Sequence, residues 1–372
     1  MTGSMGWQGY RNFRVERKEP ESETVTSFYL APEDGGEVTS YEPGQFLGFA
    51  LDVPGHDIPV IRTYTISDAP GRLQGYRLSI KREPSPPGKP DLPPGVSSNY
   101  FHDHVEVGSV LRVRAPAGEF YLDRAKQTPV VLLSGGVGLT PMISMLNSIV
   151  DDGAKRPAWF IHAVRNRNEH AFGAHVRGLA NEHGNIEAHI RYDETASVDV
   201  LGRNYDGQGF ITADLIRELT GGAEADIYLC GPPPFMKALF NDLLNAGVSE
   251  DRIHYEFFGP AQDLRDGQPS TAAAPAADAP PPATAEEAFQ ITFRRSEKTA
   301  PWDPSKENLL EFAESLGLDP DFSCRSGFCH TCLTTLIEGE IEYVDDAVMV
   351  PDEENEVLIC SSRPKSDVIL DV

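Results

Sequence analysis

The chain has 372 residues, which is enough for two or three domains that each bury a core. It carries 57 Asp and Glu against 32 Lys and Arg, and the net charge of -25 argues against nucleic acid or an anionic membrane surface as a partner. The N-terminus lacks the apolar stretch of a secretory signal, and no run of about 18 apolar residues predicts a membrane span. We therefore expect a cytoplasmic protein, in which disulfides are uncommon.

Residues 7–123 contain short strand-like runs that Gly and Pro interrupt, such as "VTSFYLAP" and "YRLSIKRE", and this pattern predicts an antiparallel β-barrel. One run, "RTYTIS" from Arg62 to Ser67, combines residue types that suit a flavin. An arginine can pair with phosphate, an aromatic ring can stack on the isoalloxazine, and a hydroxyl can bond near N5. Taken alone, this run fits an ordinary exposed barrel strand equally well.

Residues 128–260 alternate longer apolar runs with helical segments, which predicts an α/β domain with a parallel sheet. Within it, "VVLLSGGVGLTPMISML" indicates a strand, a glycine-rich turn and a helix. Gly135, Gly136 and Gly138 would let the backbone approach a pyrophosphate, and the helix start offers unpaired N–H groups and a positive dipole end. The spacing is not the G-x-G-x-x-G fingerprint, so a simple tight turn is the alternative.

Residues 261–285 are dominated by Ala, Pro, Asp and Thr without apolar periodicity, and they predict a semi-extended linker. Residues 286–372 predict a small α+β domain. In this domain "FQITFRR" alternates like a strand, a capped amphipathic helix is expected to begin near Ser305, and "DVILDV" ends the chain as a strand.

Three of the five cysteines lie in "CRSGFCHTC", Cys324 to Cys332, and a fourth, Cys360, follows in "LICSSRPKSDV". Disulfides, zinc and an iron–sulfur cluster are the three candidates. Zinc ribbons usually have two C-x2-C pairs, whereas the C-x4-C-x2-C…C spacing found here is that of plant-type [2Fe–2S] clusters. Gly327 lies inside the loop and is free to take a positive φ. We therefore favour a cluster.

These cysteine segments resemble the ferredoxin modules attached to oxygenase reductases. The resemblance implies a β-grasp fold, with Cys324 and Cys329 on one iron and Cys332 and Cys360 on the other. Upstream, "RTYTIS", "SGGVGLTPM", "YLCGPPPFM" and "HYEFFGPA" occur in the order typical of the ferredoxin-NADP reductase superfamily, and most closely resemble the reductase half of flavohaemoglobins. This second resemblance covers about residues 7–260.

The reductase resemblance implies a flavin site in the barrel. Arg62 would contact the flavin phosphate, Tyr64 would face the ring, and Thr65 would replace the usual serine. Phe46 stands where flavohaemoglobin reductases often have tyrosine. Ser97 and Ser98 would lie near the N–H groups that hold a diphosphate, which favours FAD; FMN, as in phthalate dioxygenase-type reductases, is the alternative. The implied flavin-binding residues are Phe46, Arg62, Thr63, Tyr64, Thr65, Ser97 and Ser98.

The same resemblance implies a nicotinamide site. Cys230 would lie beside the nicotinamide and shape the hydride path, although a lone cysteine at a strand end is usually a buried small hydrophobe. Glu256 would lie near the flavin ring. Phe257 and Phe258 would cover the ring until nicotinamide enters, with ordinary packing as the alternative. The implied dinucleotide-binding residues are Gly135, Gly136, Gly138, Thr140 and Pro141.

Together, the flavin, nicotinamide and cluster modules predict an electron-transfer function. A hydride from NADH would reach the flavin, with Cys230, Glu256 and Thr65 at the reacting atoms, and single electrons would pass through the [2Fe–2S] cluster. Arg165, Arg167 and Arg191 leave NADPH open. No globin precedes Trp7, so we expect an external acceptor, a Rieske-type terminal oxygenase such as one acting on glycine betaine. The alternatives are a stand-alone flavin or ferric reductase, a redox sensor, and a donor to a cytochrome P450 or hybrid-cluster protein.

Overall fold

The structure is a computed structural model. It describes residues 7, 9–56, 59–85, 93–153, 155–258, 264–265 and 289–372, except 319, 321, 323–326, 328–331, 345–347, 349, 352 and 354. The described residues form two compact units, the first from residues up to Phe258 together with 264–265, and the second from 289 onward. None of the helices in these ranges is both long enough and apolar enough to cross a membrane.

The first unit begins with a six-stranded antiparallel sheet. Its edge strands meet through a bridge between Ile66 and Leu78, so the sheet curls into the predicted barrel. A helix, α1 (Val96–His104), lies between the fifth and sixth strands. The strands, in the sheet order β4-β3-β6-β1-β2-β5, are β1 Arg11–Pro20, β2 Val25–Pro32, β3 Phe46–Leu51, β4 Val60–Thr65, β5 Tyr76–Lys81 and β6 Val110–Val113.

A six-stranded parallel sheet follows in the same unit, as the βαβ alternation predicts. Its strands, in the sheet order β10-β9-β8-β7-β11-β12, are β7 Val130–Gly135, β8 Ala158–Val164, β9 Ile186–Tyr192, β10 Gly207–Gln208, β11 Asp226–Cys230 and β12 Ile253–Glu256. Its helices are α2 Leu139–Asp151, α3 Gly173–Glu182, α4 Ala213–Thr220 and α5 Pro233–Asn245.

The two faces of the parallel sheet have separate cores. One core contains the buried residues of α2 and α3 together with Phe120, which follows the barrel strands. The other contains the buried residues of α4 and α5. Cys230 belongs to the first core, so its side chain lies on the face that packs towards the barrel.

The described part of the second unit has a mixed five-stranded sheet and one α-helix, consistent with the predicted α+β fold. Its elements are β13 Gln290–Phe293, β14 Lys298–Pro301, α6 Leu309–Ser315, β15 Leu333–Glu338, β16 Ile341–Tyr343, β17 Glu356–Leu358, β18 Ser362–Pro364 and β19 Val368–Leu370. The sheet order is β14-β13-β19-β15-β17, and β16 pairs separately with β18.

The helix of this unit begins later than the sequence predicts. Asn308 caps α6, because its Oδ1 accepts a hydrogen bond from the backbone N–H of Glu311 at 3.0 Å. Ser305 instead lies in a turn, where its backbone N–H donates to the Asp303 carboxylate at 2.9 Å. Both residues can cap a helix, and the burial of Leu309 and Leu310 in the core decides which one does.

One described part of the predicted linker is folded. Leu264 is 3% exposed and packs in the core that contains α4 and α5. Its carbonyl accepts a hydrogen bond from Asn241 Nδ2 at 2.5 Å, and Arg265 pairs with Glu250 at 2.6 Å. Leu264 and Arg265 therefore belong to the first unit, because an apolar side chain that reaches this core is held there by burial. Residues 266–285 lie outside the described ranges.

Candidate functional site

The strand that carries "RTYTIS" is tied to the start of α1 by one hydrogen bond. Tyr64 donates its hydroxyl to Ser97 Oγ at 2.9 Å, and its ring packs edge-on against Phe101 with 5.0 Å between centroids. Burial raises the pKa of Tyr64 to about 12, so the hydroxyl stays protonated and able to donate at neutral pH. This bond fixes β4 next to the N-terminus of α1.

Among the described residues, the first-turn N–H groups of α1 have no hydrogen-bond partner. Its N-cap is Gly95, which offers no side-chain acceptor, and the first N–H bonded within the helix is that of Asn99. Arg62 is exposed on β4, and in the described part of the chain it bonds the Ile61 carbonyl at 2.7 Å and pairs with no carboxylate. A positive dipole end with unpaired N–H groups and an arginine suit a diphosphate.

The side chains of Ser97 and Ser98 are buried and serve the protein itself. Ser97 accepts from Tyr64, and Ser98 Oγ donates to the Gly95 carbonyl at 3.3 Å and accepts from the Glu83 N–H at 3.3 Å. These hydroxyls are therefore engaged by protein groups, at Tyr64, Glu83 and Gly95. The backbone N–H groups of the first turn are the donors left for a ligand.

Phe46 begins β3 and Thr65 ends the neighbouring strand β4. They are register partners on β3 and β4, and they are 7% and 6% exposed. The Phe46 ring packs against Gly118, where an added β-carbon would fall 2.8 Å from the ring. Gly118 has a φ of 108°, so the close approach and the backbone both favour glycine. Phe46 thus forms an apolar wall beside Thr65, and Thr63 is half-buried on the same strand.

The dinucleotide turn, Gly135–Gly138, shows two different needs for glycine. Added β-carbons would lie 3.0 Å from the Phe235 ring at Gly135 and 2.3 Å from the Cys230 carbonyl oxygen at Gly138. Gly138 is therefore required by its packing against the backbone after β11, whereas Gly135 is tightly packed against Phe235 of α5. Gly136 has a φ of 54° and open space above it, so it is the glycine at which a ligand can approach the backbone. Thr140 and Pro141 are buried in the first turn of α2, where Thr140 Oγ1 donates to the Val137 carbonyl at 3.2 Å.

Four polar or reactive side chains form one lateral row across the parallel sheet. In register, Glu256 pairs with Cys230, Cys230 with Ser134, and Ser134 with His162. Lateral partners in a parallel sheet point to the same face, and the row lies at or near the carboxyl ends of the strands, where open α/β sheets bind ligands. The structure thus brings together Cys230 and Glu256, which are 26 positions apart in the sequence.

Burial dominates the electrostatics of this row. It raises the pKa of the Cys230 thiol well above its usual value, and the neighbouring Glu256 carboxylate adds to the rise. A neutral, fully buried thiol is a poor nucleophile. Cys230 is therefore suited to form an uncharged wall beside a ligand.

The two phenylalanines after β12, Phe257 and Phe258, have different surroundings. Phe257 packs against the core that contains α4 and α5, on the face of the sheet opposite Cys230, so the packing alternative describes it. Phe258 is 45% exposed and is the one of the pair that is free to cover a ring.

Two residues of the row, Ser134 and His162, are not predicted by the sequence. Ser134 Oγ and His162 Nδ1 are 2.9 Å apart, and burial lowers the pKa of His162 to about 3, which keeps it neutral. Their sequence signal is a single polar residue inside each of the apolar strands "VVLLSG" and "AWFIHAV". Such single polar positions are more often structural, and only the register shows that they adjoin Cys230.

The arginines near the strand ends differ in their partners. Arg165 pairs with Glu194 at 3.2 Å, and these residues follow β8 and β9. Arg191 is engaged by the carbonyls of Gln208 and Gly209. Glu194 thus competes for the positive charge that a 2′-phosphate would need.

In the second unit, strand pairing joins two of the predicted cluster ligands. Leu333 pairs with Leu358, and the Ile359 N–H donates to the Cys332 carbonyl at 3.4 Å, which brings Cys332 and Cys360 to the same end of the β15–β17 pair. Both cysteines are buried in the apolar core of this unit. Buried thiols gathered in an apolar core suit an iron–sulfur cluster.

Gly327 supports the same loop. It has a φ of 74°, and an added β-carbon would fall 2.7 Å from Ser361 Oγ, so a side chain fits neither the backbone nor the space. The other two predicted ligands, Cys324 and Cys329, lie outside the described residues.

Comparisons with known proteins agree with this geometry. The chain matches the oxidoreductase FAD-binding domain over residues 12–121, the oxidoreductase NAD-binding domain over 132–240 and the 2Fe-2S iron-sulfur cluster binding domain over 291–365. The fold and site therefore define an NAD(P)H-dependent oxidoreductase that uses FAD and a [2Fe–2S] cluster. The chain belongs to the ferredoxin-NADP reductase superfamily and carries a C-terminal ferredoxin domain.

Three relatives illustrate the match. The flavohemoprotein of Bacillus thuringiensis subsp. konkukian is 44% identical over 260 residues, which are 70% of this chain and 63% of that protein. The flavohem-like FAD/NAD-binding domain of nitric oxide dioxygenase from Vibrio cholerae is 36% identical with a TM-score of 0.59, covering 68% of this chain and 100% of that domain. Phthalate dioxygenase reductase is 22% identical with a TM-score of 0.56, covering 98% of both chains.

Proposed function

We propose that the protein is the NADH-dependent reductase of a cytoplasmic oxygenase system and delivers electrons to a separate Rieske-type terminal oxygenase. The observation that supports this is the presence, in one chain, of a reductase unit and a unit that buries Cys332 and Cys360 in a common core. A flavin reductase that reacts directly with free acceptors has no need of the second unit. Phthalate dioxygenase reductase has a similar fold over its whole length.

The chain's residues would hold FAD, which would supply a hydride acceptor and a donor of single electrons, and a [2Fe–2S] cluster, which would supply a one-electron carrier. The residues of the chain bind and orient these groups. Arg62 and the first-turn N–H groups of α1 would hold the flavin diphosphate, and the Tyr64–Ser97 bond keeps strand and helix in place. Thr65 lies at the end of that strand, where its hydroxyl would face the ring.

On the nicotinamide side, Gly136 would admit the pyrophosphate to the backbone at the start of α2. Cys230 would form a neutral wall beside the nicotinamide, and Glu256 would present a carboxylate next to it. Phe258 would exclude water from the flavin until the nicotinamide enters. These roles orient the reactants and set the polarity of the site, which is what a protein contributes to cofactor chemistry.

The preference for NADH follows from Glu194. The carboxylate neutralises Arg165, which otherwise could bind a 2′-phosphate, and it would repel that phosphate directly. Both side chains are more than 60% exposed, so the discrimination from this pair alone is modest.

A coupled assay tests the proposal. The purified protein, NADH and a Rieske-type oxygenase with its substrate should give product, whereas the Cys332→Ser variant should give none and still reduce ferricyanide. Ferric chelates, free flavin and a cytochrome P450 serve as rival acceptors. Absence of oxygenase product with the parent protein, together with equal turnover of a rival acceptor by the parent and by Cys332→Ser, would instead identify a stand-alone flavin or ferric reductase.

A further inference from the structure

A buried polar residue joins the end of β4 to α2. Asp68 is 6% exposed and lies shortly after Thr65 in the chain. Its carboxylate accepts from Asn147 Nδ2 at 2.8 Å, and its backbone carbonyl accepts from Ser144 Oγ at 2.6 Å. Both donors are fully buried on α2. The helix that follows the dinucleotide turn is therefore held at two points by one residue next to the flavin strand.

The contact continues to α3 in one direction. His175 Nε2 lies 2.7 Å from Asn147 Oδ1. Because the amide nitrogen of Asn147 donates to Asp68, its amide oxygen must accept, and His175 carries a proton on Nε2. His175 thus donates to Asn147, and Asn147 donates to the Asp68 carboxylate. The segment after β4, α2 and α3 therefore share one hydrogen-bonded network.

Two arginines of the barrel balance the charge of Asp68. Arg72 and Arg77 lie 3.5 Å and 3.7 Å from its carboxylate oxygens. Arg72 also binds Asp151, the last residue of α2, at 2.6 Å. The carboxyl-terminal end of α2 is thus fixed to the same barrel segment that holds its middle.

Arg77 reaches the start of α3 as well. Its guanidinium lies 4.9 Å from the ring centroid of Phe172, the residue before α3. Phe172 has a φ of 57°, a left-handed conformation that is uncommon for a residue with a large side chain. The cation–π contact helps to hold this residue against the barrel.

We propose that Asp68 is a positioning residue for hydride transfer, because it fixes the dinucleotide turn at the start of α2 relative to the flavin strand β4. A misplacement of about 1 Å far from the reacting atoms can slow a reaction by up to about 100-fold. The inference depends on hydride transfer from nicotinamide to flavin and not on the final acceptor. It can therefore fail while the proposed oxygenase partner stands, and the reverse also holds.

A matched pair of substitutions on α2 tests the proposal. Ser144→Ala removes the bond to Asp68, whereas Ser148→Ala makes the same change one turn later, where the hydroxyl contacts Asp152 at 3.5 Å. Both serines are buried. The measurement is single-turnover reduction of the bound FAD by NADH. Ser144→Ala should lower the limiting rate constant by about tenfold, which is less than the loss of about 100-fold that a misplacement of about 1 Å can cause. The dissociation constant for NADH should not change. Ser148→Ala should stay within about twofold of the parent.

The single-turnover rate constant does not depend on the fraction of protein that is correctly folded, so a merely structural defect leaves it unchanged. Amide hydrogen exchange on the FAD-loaded protein gives a readout separate from activity. Ser144→Ala should speed exchange in residues 66–72 and 139–151 together, while Ser148→Ala should affect only the helix. Equal rate constants for the two variants, or unchanged exchange in residues 66–72 of Ser144→Ala, would overturn the proposal.

Discussion

Gly138 lies so close to Cys230 that a β-carbon on it would fall 2.3 Å from the Cys230 carbonyl oxygen. The dinucleotide turn and the turn after β11 are therefore packed backbone to backbone. The contact couples the two segments that would hold the two ends of the nicotinamide dinucleotide.

This contact predicts different outcomes for two glycines of one turn. Gly138→Ala must push the turns apart, so it should weaken NADH binding by about tenfold or more and slow FAD reduction. Gly136→Ala meets no protein atom, so it should cost the left-handed strain of about 1–2 kcal/mol in the free energy of unfolding and weaken NADH binding only through its own methyl group at the pyrophosphate, without slowing FAD reduction at saturating NADH. Calorimetric NADH titration and denaturant unfolding measure the two effects. Parent-like NADH affinity in Gly138→Ala would show that the turn tolerates the displacement.

The cluster unit should be separable from hydride transfer. Cys332→Ser and Cys360→Ser should each abolish the visible absorption and the electron paramagnetic resonance signal of the [2Fe–2S] cluster, because a hydroxyl is a poor substitute for an iron-bound thiolate. NADH-dependent ferricyanide reduction should stay within about twofold of the parent. Cys230→Ser is the matched control and should retain the cluster signal. Loss of FAD reduction in either cluster variant would mean that the two units depend on each other.

Tyr64 should make stability depend on alkaline pH. Its folded pKa of about 12 lies above the unfolded value near 10, so the folded state keeps a proton that the unfolded state loses. The free energy of unfolding should therefore fall as the pH rises from about 10 to about 12. Below about pH 10 the stabilising contribution of the Tyr64 proton should be fully present. Tyr64→Phe removes the contribution together with the Ser97 bond.

Chemical unfolding at pH 9 and pH 11 tests this prediction. The difference between the two pH values should be smaller in Tyr64→Phe than in the parent, and the comparison cancels the other buried tyrosines. Tyr64→Phe should also lose about 1 kcal/mol at pH 9 from the deleted hydrogen bond. An identical pH dependence in the two proteins would contradict the assigned environment of Tyr64.

Leu264 should behave as a core residue although its sequence context predicts a linker. Leu264→Ala should lower the free energy of unfolding of the first unit by about 2–4 kcal/mol, since the side chain is 3% exposed. Leu201→Ala is the matched control, because Leu201 is 64% exposed in the same unit, and it should change stability by less than about 0.5 kcal/mol. Equal effects of Leu264→Ala and Leu201→Ala in thermal or urea unfolding would show that Leu264 does not stabilise the core.

Glu194 should limit the use of NADPH. Glu194→Gln frees Arg165 and removes a negative charge, so kcat/KM for NADPH should rise by about three- to tenfold while that for NADH changes little. The gain should shrink as salt is added, because both side chains are exposed. The double variant Glu194→Gln/Arg165→Gln is the control and should lose the gain. An unchanged NADPH to NADH ratio in Glu194→Gln would place the 2′-phosphate elsewhere.

Several features were predictable because their physical causes are local. The cysteine spacing indicates an iron–sulfur cluster, the glycine-rich turn after an apolar strand indicates a dinucleotide site, and the change from short to long apolar runs separates the barrel from the parallel sheet. The domain matches confirm that order of cofactors. Each signal depends on residues close together in the chain, so the sequence displays it directly.

What the sequence by itself determined is the set of domains and the chemistry that each can hold, since ligand spacing and hydrophobic period are properties of short segments. Only the tertiary structure decided that Phe257 packs away from Cys230, that Leu264 belongs to a core, and that Asp68 holds α2 through Ser144, 76 positions further along the chain. These contacts depend on which sheet face or helix face meets which neighbour. Burial of long-range partners settles that choice, and no local pattern contains it.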